Sequence, residues 1–314
     1  MDFRESKTGR KQSWYGTKKY VKQGLSSRPV HVALRGLVRL KPELGRTGRL
    51  PAPGHLAEVT GSAGGGSFVM LRPDRCVIAK ELYWGKGRRP RPEDQNALEI
   101  FTSLAREADI MLDVGAYTGI FTLASTVVNP SLHAYAFEIV PAVSEALARN
   151  CERNGVTGRV TICGVGVGDD GATVTLPVGE DGSALPDFYS TRLNFTDGVQ
   201  VPVRSLDSLT DDLSAGRRVV MKIDVEGTES TILEHGQRFL SEHQPDILCE
   251  VLHGVGDGPA VEAALEPFGY QYHLVEEAGI RRCGRIEPSA RFRDWLFTTR
   301  SEADLEALGI TVVG

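Results

Sequence analysis

Among its 314 residues the chain has no run approaching the ~18 apolar residues a membrane span requires, so no span is expected. It has no CxxC pair and no Cys/His spacing of the zinc-binding kind. The five cysteines (Cys76, Cys151, Cys163, Cys249 and Cys283) are odd in number and widely scattered. They make no disulfide framework, which fits a reducing, cytoplasmic setting. Cys163 and Cys249 stand in apolar, strand-like runs and read as core residues. The N-terminus lacks an apolar h-region, so a secretory signal is not expected. G-x-G-x-x-G is missing as well, which argues against a nicotinamide dehydrogenase. No internal repeat recurs at a fixed period.

What is present is an ordinary globular composition with an uneven charge. Hydrophobic residues make up 41% and charged residues 25%, enough for a sizeable core, and the length suggests about two domains. The net charge is −5, yet the first fifty residues hold thirteen Lys/Arg against Asp2, Glu5 and Glu43. That surplus of ten leaves −15 for the remainder. Such a basic segment, with Trp14, Tyr15 and Tyr20 in it, reads either as a solvated leader or as an arm that meets something anionic.

The expected organisation is a basic N-terminal extension over 1–60, accessory strands and a helix over 61–109, and a main domain over 110–314. Val30–Leu40 reads as a short amphipathic helix, and Gly61–Ser67 as a flexible connector or glycine-rich turn. "SFVMLRPDRCVIA" suggests two strands around a Pro-Asp turn, and "PEDQNALEIFTSLA" a helix with an acidic first turn. From Ile110 strands and helices alternate. Strands are expected at "DIMLDV", Leu132–Glu138, Arg159–Val167, Arg218–Val225, Pro245–Val251, "YQYHLVEE" and "DWLFTTR". Helices are expected at "GIFTLASTVV", at "PAVSEALARNCERNG" with Pro141 near its start and Gly155 at its end, and at "TESTILEHGQRFLS". "GATVTLPV" and "VQVPVRSL" add short antiparallel pieces around a polar insert, Gly179–Gly198, which is either a substrate lid or a solvated loop. Repeated βα units imply an α/β protein, a mainly parallel sheet with helices on both faces.

In such sheets ligands sit beyond the carboxyl ends of the strands, at the topological switch. The stretch "MLDVGAYTG" ends a strand there with Asp113, Gly115 and Gly119. Glycines permit a tight turn into a helix whose N-terminal N–H groups are free. A carboxylate at the strand end repels a pyrophosphate but suits a cationic, amine-bearing ligand such as S-adenosylmethionine. Glu138 ends the next strand, where an acid can accept both ribose hydroxyls.

"MLDVGAYTGIFTLAS", "AYAFEIVPAVSEAL", "VPVRSLDSL" and "VVMKIDVEGTESTILEHG" resemble the FkbM-like S-adenosylmethionine-dependent methyltransferases over about Val69–Phe297. Tyr117 stands where that family more often has Asn. The resemblance implies a class I, Rossmann-like methyltransferase with a mainly parallel seven-stranded sheet. It implies that Asp113, Gly115, Ala116, Tyr117 and Gly119 hold the methionine part, Glu138 the ribose, and Gly164 and Val165 the adenine, a place that Gly166 or Asp169 would fill equally by position. It further implies O-methylation of a sugar, a glycolipid or polysaccharide unit, or a natural product. The (D/N)PP(Y/F) and Pro-Cys signatures of methyl transfer to bases are missing, in keeping with that.

In "MKIDVEG", Lys222, Asp224 and Glu226 share one strand parity, and Glu250 ends the neighbouring strand. Central parallel strands are ordinarily apolar on both faces, so these charges mark a polar cleft. Two uses stand side by side: a general base for a hydroxyl, Asp224 first and Glu250 second, or a divalent metal such as Mg held by Asp224 and Glu250. Lys222 either joins the catalysis or neutralises Asp224. The expected partner is a small-molecule or carbohydrate acceptor rather than nucleic acid. The arm offers a peripheral contact with membrane or glycolipid, and a homo-oligomer fits too. The alternatives are an RNA methyltransferase gripping phosphates with the basic arm, and a non-catalytic binding module of the same fold.

Overall fold

The computed structural model describes residues 28–41, 50–176, 198–210, 213, 216–225 and 227–313. Most of the basic arm, nearly all of the polar insert and Glu226 lie outside them. The chain divides into two compact units, Met1–Gly61 with Val69–Pro90, and Ser62–Phe68 with Arg91–Gly314.

The first unit holds helices α1 (Arg28–Leu40) and α2 (Val77–Trp84). Strands β1 (Glu58–Ala63) and β2 (Gly66–Leu71) form a hairpin. Gly64 and Gly65 between them both have positive φ, 55° and 72°, as a tight two-residue turn requires. The glycine-rich stretch is therefore a turn. The second strand expected after the Pro-Asp turn is instead α2. Cys76 caps it, its Sγ accepting from the Ala79 N–H at 3.4 Å, and Ala79 and Leu82 are buried at helical spacing.

The second unit is built on a nine-stranded sheet. Its chain order begins with α3 (Pro92–Ala105), β3 (Ile110–Val114), α4 (Ile120–Val128), β4 (His133–Phe137), α5 (Pro141–Arg153) and β5 (Val160–Cys163). Three short strands follow, β6 (Gly166–Val167), β7 (Thr173–Leu176) and β8 (Val199–Arg204), which form a separate sheet in the order β6-β8-β7. Then come α6 (Leu206–Thr210), β9 (Val219–Ile223), α7 (Glu229–Glu234), α8 (Gln237–His243), β10 (Asp246–Glu250), α9 (Gly258–Leu265), β11 (Gln271–Val275), β12 (Ile280–Cys283), β13 (Asp294–Thr298), α10 (Glu302–Ala307) and β14 (Val312–Val313). The large sheet has the order β14-β12-β11-β13-β10-β9-β3-β4-β5.

Strands β10, β9, β3, β4 and β5 run parallel, and β13 is antiparallel to both β10 and β11. The seven expected strands are all present, and β12 and β14 extend one edge to nine. Strands β3, β9 and β10 are buried along their whole length, as a sheet covered on both faces demands. Met221, Ile223, Phe239, Ile247, Trp295 and Phe297 lie in the hydrophobic core around them.

Two expected elements are broken. The third strand stops at Cys163, and β6 leaves for the small sheet. The single helix after β9 is two, separated at His235–Gly236. A Cβ on Gly236 would come within 2.8 Å of Leu206 Cδ1, so the glycine lets α6 pack closely there. The chain runs from β3 outward to β5, then returns to place β9 on the other side of β3. The switch point is the gap between the carboxyl ends of β3 and β9.

Candidate active site

At the switch point the glycine turn joins two strands rather than merely ending one. The Asp224 N–H donates to the Val114 carbonyl at 2.9 Å, and the Gly115 and Ala116 N–H groups both donate to the Phe137 carbonyl. Gly115 has φ +83°, and a Cβ there would lie 2.0 Å from the Asp224 carbonyl oxygen. No other residue permits so close a passage. Gly119 begins α4 at φ +89° and has no side chain with which to cap it.

Asp113 supplies that cap from the strand. Its Oδ2 accepts from the Thr122 N–H at 3.1 Å and from the Thr122 hydroxyl at 2.6 Å, with the residue 1% exposed. Thr122 lies in the first turn, where N–H groups otherwise lack partners and a negative charge meets the positive end of the helix. The Asp113 carboxylate thus reaches α4 through Oδ2 and fixes the turn. Burial raises its pKa to about 6 against the pull of the Thr122 bonds and Lys222.

Tyr117, at φ +48°, is a non-glycine residue in the left-handed region and is 36% exposed. Asparagine tolerates that conformation better than most residues, which gives a backbone reason for the family's usual choice. From α5, Asn150 Nδ2 donates to the Thr118 carbonyl at 2.8 Å and steadies the turn.

Glu138 lies just past β4, 8% exposed, its Oε1 accepting from the Val140 N–H at 2.8 Å. Burial lifts its carboxyl from 4.5 to about 7, although the amides of Val140, Tyr117 and Ile139 favour the charged form. It lines a cleft of about 600 Å³ with Ile139, Ser144, Ile162, Gly164 and Val201. A Cβ on Gly164 would meet nothing within 4 Å, so that wall is open. Val165 instead packs partly against the hydrophobic core.

The raised Glu138 value has a consequence for stability. The folded chain takes up this proton at higher pH than the unfolded chain does. Its favourable contribution is therefore complete below pH 4.5 and is lost as pH rises toward 7. Glu138→Gln should accordingly stabilise the ligand-free protein at pH 7.5 by about 1–3 kcal/mol. Urea denaturation at pH 7.5 and pH 4.5 checks this, and an equal effect at both pH values would disprove it.

The second cluster lies at the ends of β9 and β10. Lys222 is fully buried, its Nζ 3.3 Å from Asp294 Oδ1 and 3.6 Å from Asp224 Oδ2, and 5.4 Å from the centre of the Phe121 ring. Arg293 Nη1 is 2.9 Å from Glu250 Oε1, and its Nη2 is 3.5 Å from Asp94 Oδ1. Four carboxyl groups thus share two cations. Burial opposes the charge on Lys222, yet Asp224, Asp294 and Glu250 outweigh it and raise the pKa. Burial, then the charge of Asp224, pushes the Glu250 carboxyl to about 10 against the pull of Arg293. Asp224 has the most exposed side chain of the four, at 38%.

The metal expectation gains no support. Among the described residues no group of three or more His, Cys, Asp or Glu is disposed to hold a metal ion. Asp224 and Glu250 face Lys222 and Arg293, which already supply the positive charge. Asp94, Arg293 and Asp294 were not singled out in the sequence. The antiparallel register sets Asp294 opposite Glu250, and an acid opening "DWLFT" gives no hint of that partner.

The strand order, the switch-point turn and the acid beside the cleft together define a class I methyltransferase fold. Residues 113–272, half of the chain, match the methyltransferase FkbM domain. The chain belongs to the FkbM methyltransferase family. It is 40% identical over 60 residues to the 31-O-demethyl-FK506 methyltransferase FkbM of Streptomyces tacrolimicus, 19% of this chain and 23% of that one. The match thus spans less than a quarter of that relative's length.

A crystal structure of methyltransferase FkbM from Methylobacillus flagellatus KT aligns at a TM-score of 0.39 and 19% identity, over 61% of this chain and 44% of that one. The O-methyltransferase TomG from Streptomyces achromogenes, in complex with SAM, aligns at 0.36 and 11%, over 65% and 78%. At these scores neither structure adds to the reading of the site.

Proposed function

We propose that the chain is an S-adenosylmethionine-dependent methyltransferase that methylates a hydroxyl of a sugar, a glycolipid or polysaccharide unit, or a natural product. The observation that carries the cofactor is the cleft itself. Ile139, Ile162 and Val201 give it apolar walls, Gly164 leaves one side open, and a single buried carboxylate stands at its edge. That donor set suits a flat base joined to a ribose, and the volume lies in the range of small-molecule sites. Glu138 would accept from the ribose hydroxyls, and the Gly115–Gly119 turn would border the methionine end. When bound, S-adenosylmethionine supplies an electrophilic methyl group on a sulfonium.

For the acceptor, Asp224 carries the reading. It is a partly exposed carboxylate just past β9, its Oδ2 3.6 Å from the Nζ of buried Lys222. As the new O–CH₃ bond forms and the S–CH₃ bond breaks, with its electron pair going to sulfur, Asp224 takes the hydroxyl proton. Glu250 is paired with Arg293, and its burial favours the protonated form, so it is the less available proton acceptor and holds the far side of the cluster. An oxygen acceptor also accords with the name of the Streptomyces tacrolimicus relative, a 31-O-demethyl-FK506 methyltransferase.

Titration calorimetry with S-adenosylhomocysteine tests the cofactor. We expect binding to the wild-type chain, and about 10–100-fold weaker binding to Glu138→Gln, the loss of charge-assisted hydrogen bonds to a diol. A folded wild-type sample that binds none overturns the reading. Mass spectrometry of candidate glycans incubated with labelled methyl donor, with and without chelator, tests the acceptor.

A further inference from the structure

Helix α1 turns its apolar side outward. Its sequence, RPVHVALRGLVRL, sets Ala33, Leu37 and Leu40 at i, i+4 and i+7, one stripe of a helix. Arg35 lies on another side. Arg35 Nε donates to the Tyr83 hydroxyl at 2.9 Å, and its guanidinium stands 5.4 Å from the centre of the Tyr83 ring. The basic side is therefore the one tied to α2. Leu37 is 51% exposed and Leu40 85%, with Ala33 exposed one turn before them on the stripe, and Val32 on the opposite side is 71% exposed.

Thirteen residues are too few to span a bilayer, and no helix among the described residues is long and apolar enough to cross one. A short helix with an apolar stripe and a basic side opposite it lies in the plane of a membrane surface. The charge distribution selects the kind of surface. The first fifty residues carry a surplus of ten positive charges and the rest a deficit of fifteen. An anionic bilayer attracts the former and repels the latter, whereas a second copy of α1 would bring like charge against like. We infer that α1 is an interfacial docking helix that binds a bilayer surface rich in anionic phospholipid, seating Leu37 and Leu40 at the acyl boundary. The inference does not depend on the methyl-transfer reading.

Co-sedimentation of the full chain with phosphatidylcholine vesicles, with and without phosphatidylglycerol, tests it. Binding is expected only to the phosphatidylglycerol vesicles and should weaken in high salt. The Leu37→Glu/Leu40→Glu variant should partition at least about tenfold less, by loss of two buried leucines. Its melting and its S-adenosylhomocysteine affinity should match wild type, since both positions are exposed. If the glutamates prevent folding, Leu37→Ala/Leu40→Ala should still lower partitioning. Three results overturn the inference: no sedimentation of wild type, wild-type partitioning of the leucine variants, or light scattering that shows a dimer which those variants convert to monomer.

Discussion

Gly115→Ala is expected to cost about 3 kcal/mol or more and to abolish S-adenosylhomocysteine binding. Two penalties combine at this position. A Cβ in the left-handed region costs roughly 1–2 kcal/mol by itself. The same Cβ would also stand 2.0 Å from the Asp224 carbonyl oxygen, a backbone atom that cannot rotate aside. Relief requires β3 and β9 to part at their ends, which breaks the hydrogen bond from Asp224 N–H to the Val114 carbonyl. Gly155 separates the two penalties. Its φ is +67°, but a Cβ there meets nothing within 4 Å, so Gly155→Ala should lose only the dihedral part. Urea midpoints of the two variants decide the matter. If they coincide, steric closure of the switch point is not what Gly115 provides.

That contrast shows how far the sequence can be read. Both glycines follow an apolar or helical run and look equivalent as letters. What distinguishes them is a strand more than a hundred residues further on. The central strands were legible because burial on both faces leaves continuous apolar runs such as Ile110–Leu112 and Val219–Met221. Helix α3 was legible from its acidic first turn and the helical spacing of its apolar residues, and α5 from the proline that opens it. Strand β12, four residues with two arginines, has no alternation to detect, and β14 is two residues long.

The same limit governs the site. A carboxylate at a strand end is visible in the sequence, but the direction it faces is not. Asp113 and Glu138 look alike as letters; one caps α4 through Thr122, and the other borders the cleft. Arg293 and Asp294 were missed because their partners Glu250 and Lys222 lie 43 and 72 positions earlier in the chain, brought together only by the antiparallel insertion of β13.

Asp224→Asn should lower turnover about 10²–10⁴-fold, the usual contribution of a positioned general base. Affinity for S-adenosylhomocysteine should stay within about tenfold of wild type. The fold should survive, because Lys222 keeps Asp294 at 3.3 Å and is not left as an unpaired buried charge. Asp294→Asn provides the comparison. It removes the other partner of Lys222 but leaves the exposed carboxylate of Asp224 in place, so its effect should fall mainly on stability. Proton acceptance is thus assigned to the more exposed acid and charge balance to the more buried one, and the two variants separate those roles. Turnover of Asp224→Asn within tenfold of wild type would move the base elsewhere. A loss of turnover that merely follows a loss of S-adenosylhomocysteine affinity would place Asp224 with the cofactor instead of with the acceptor hydroxyl.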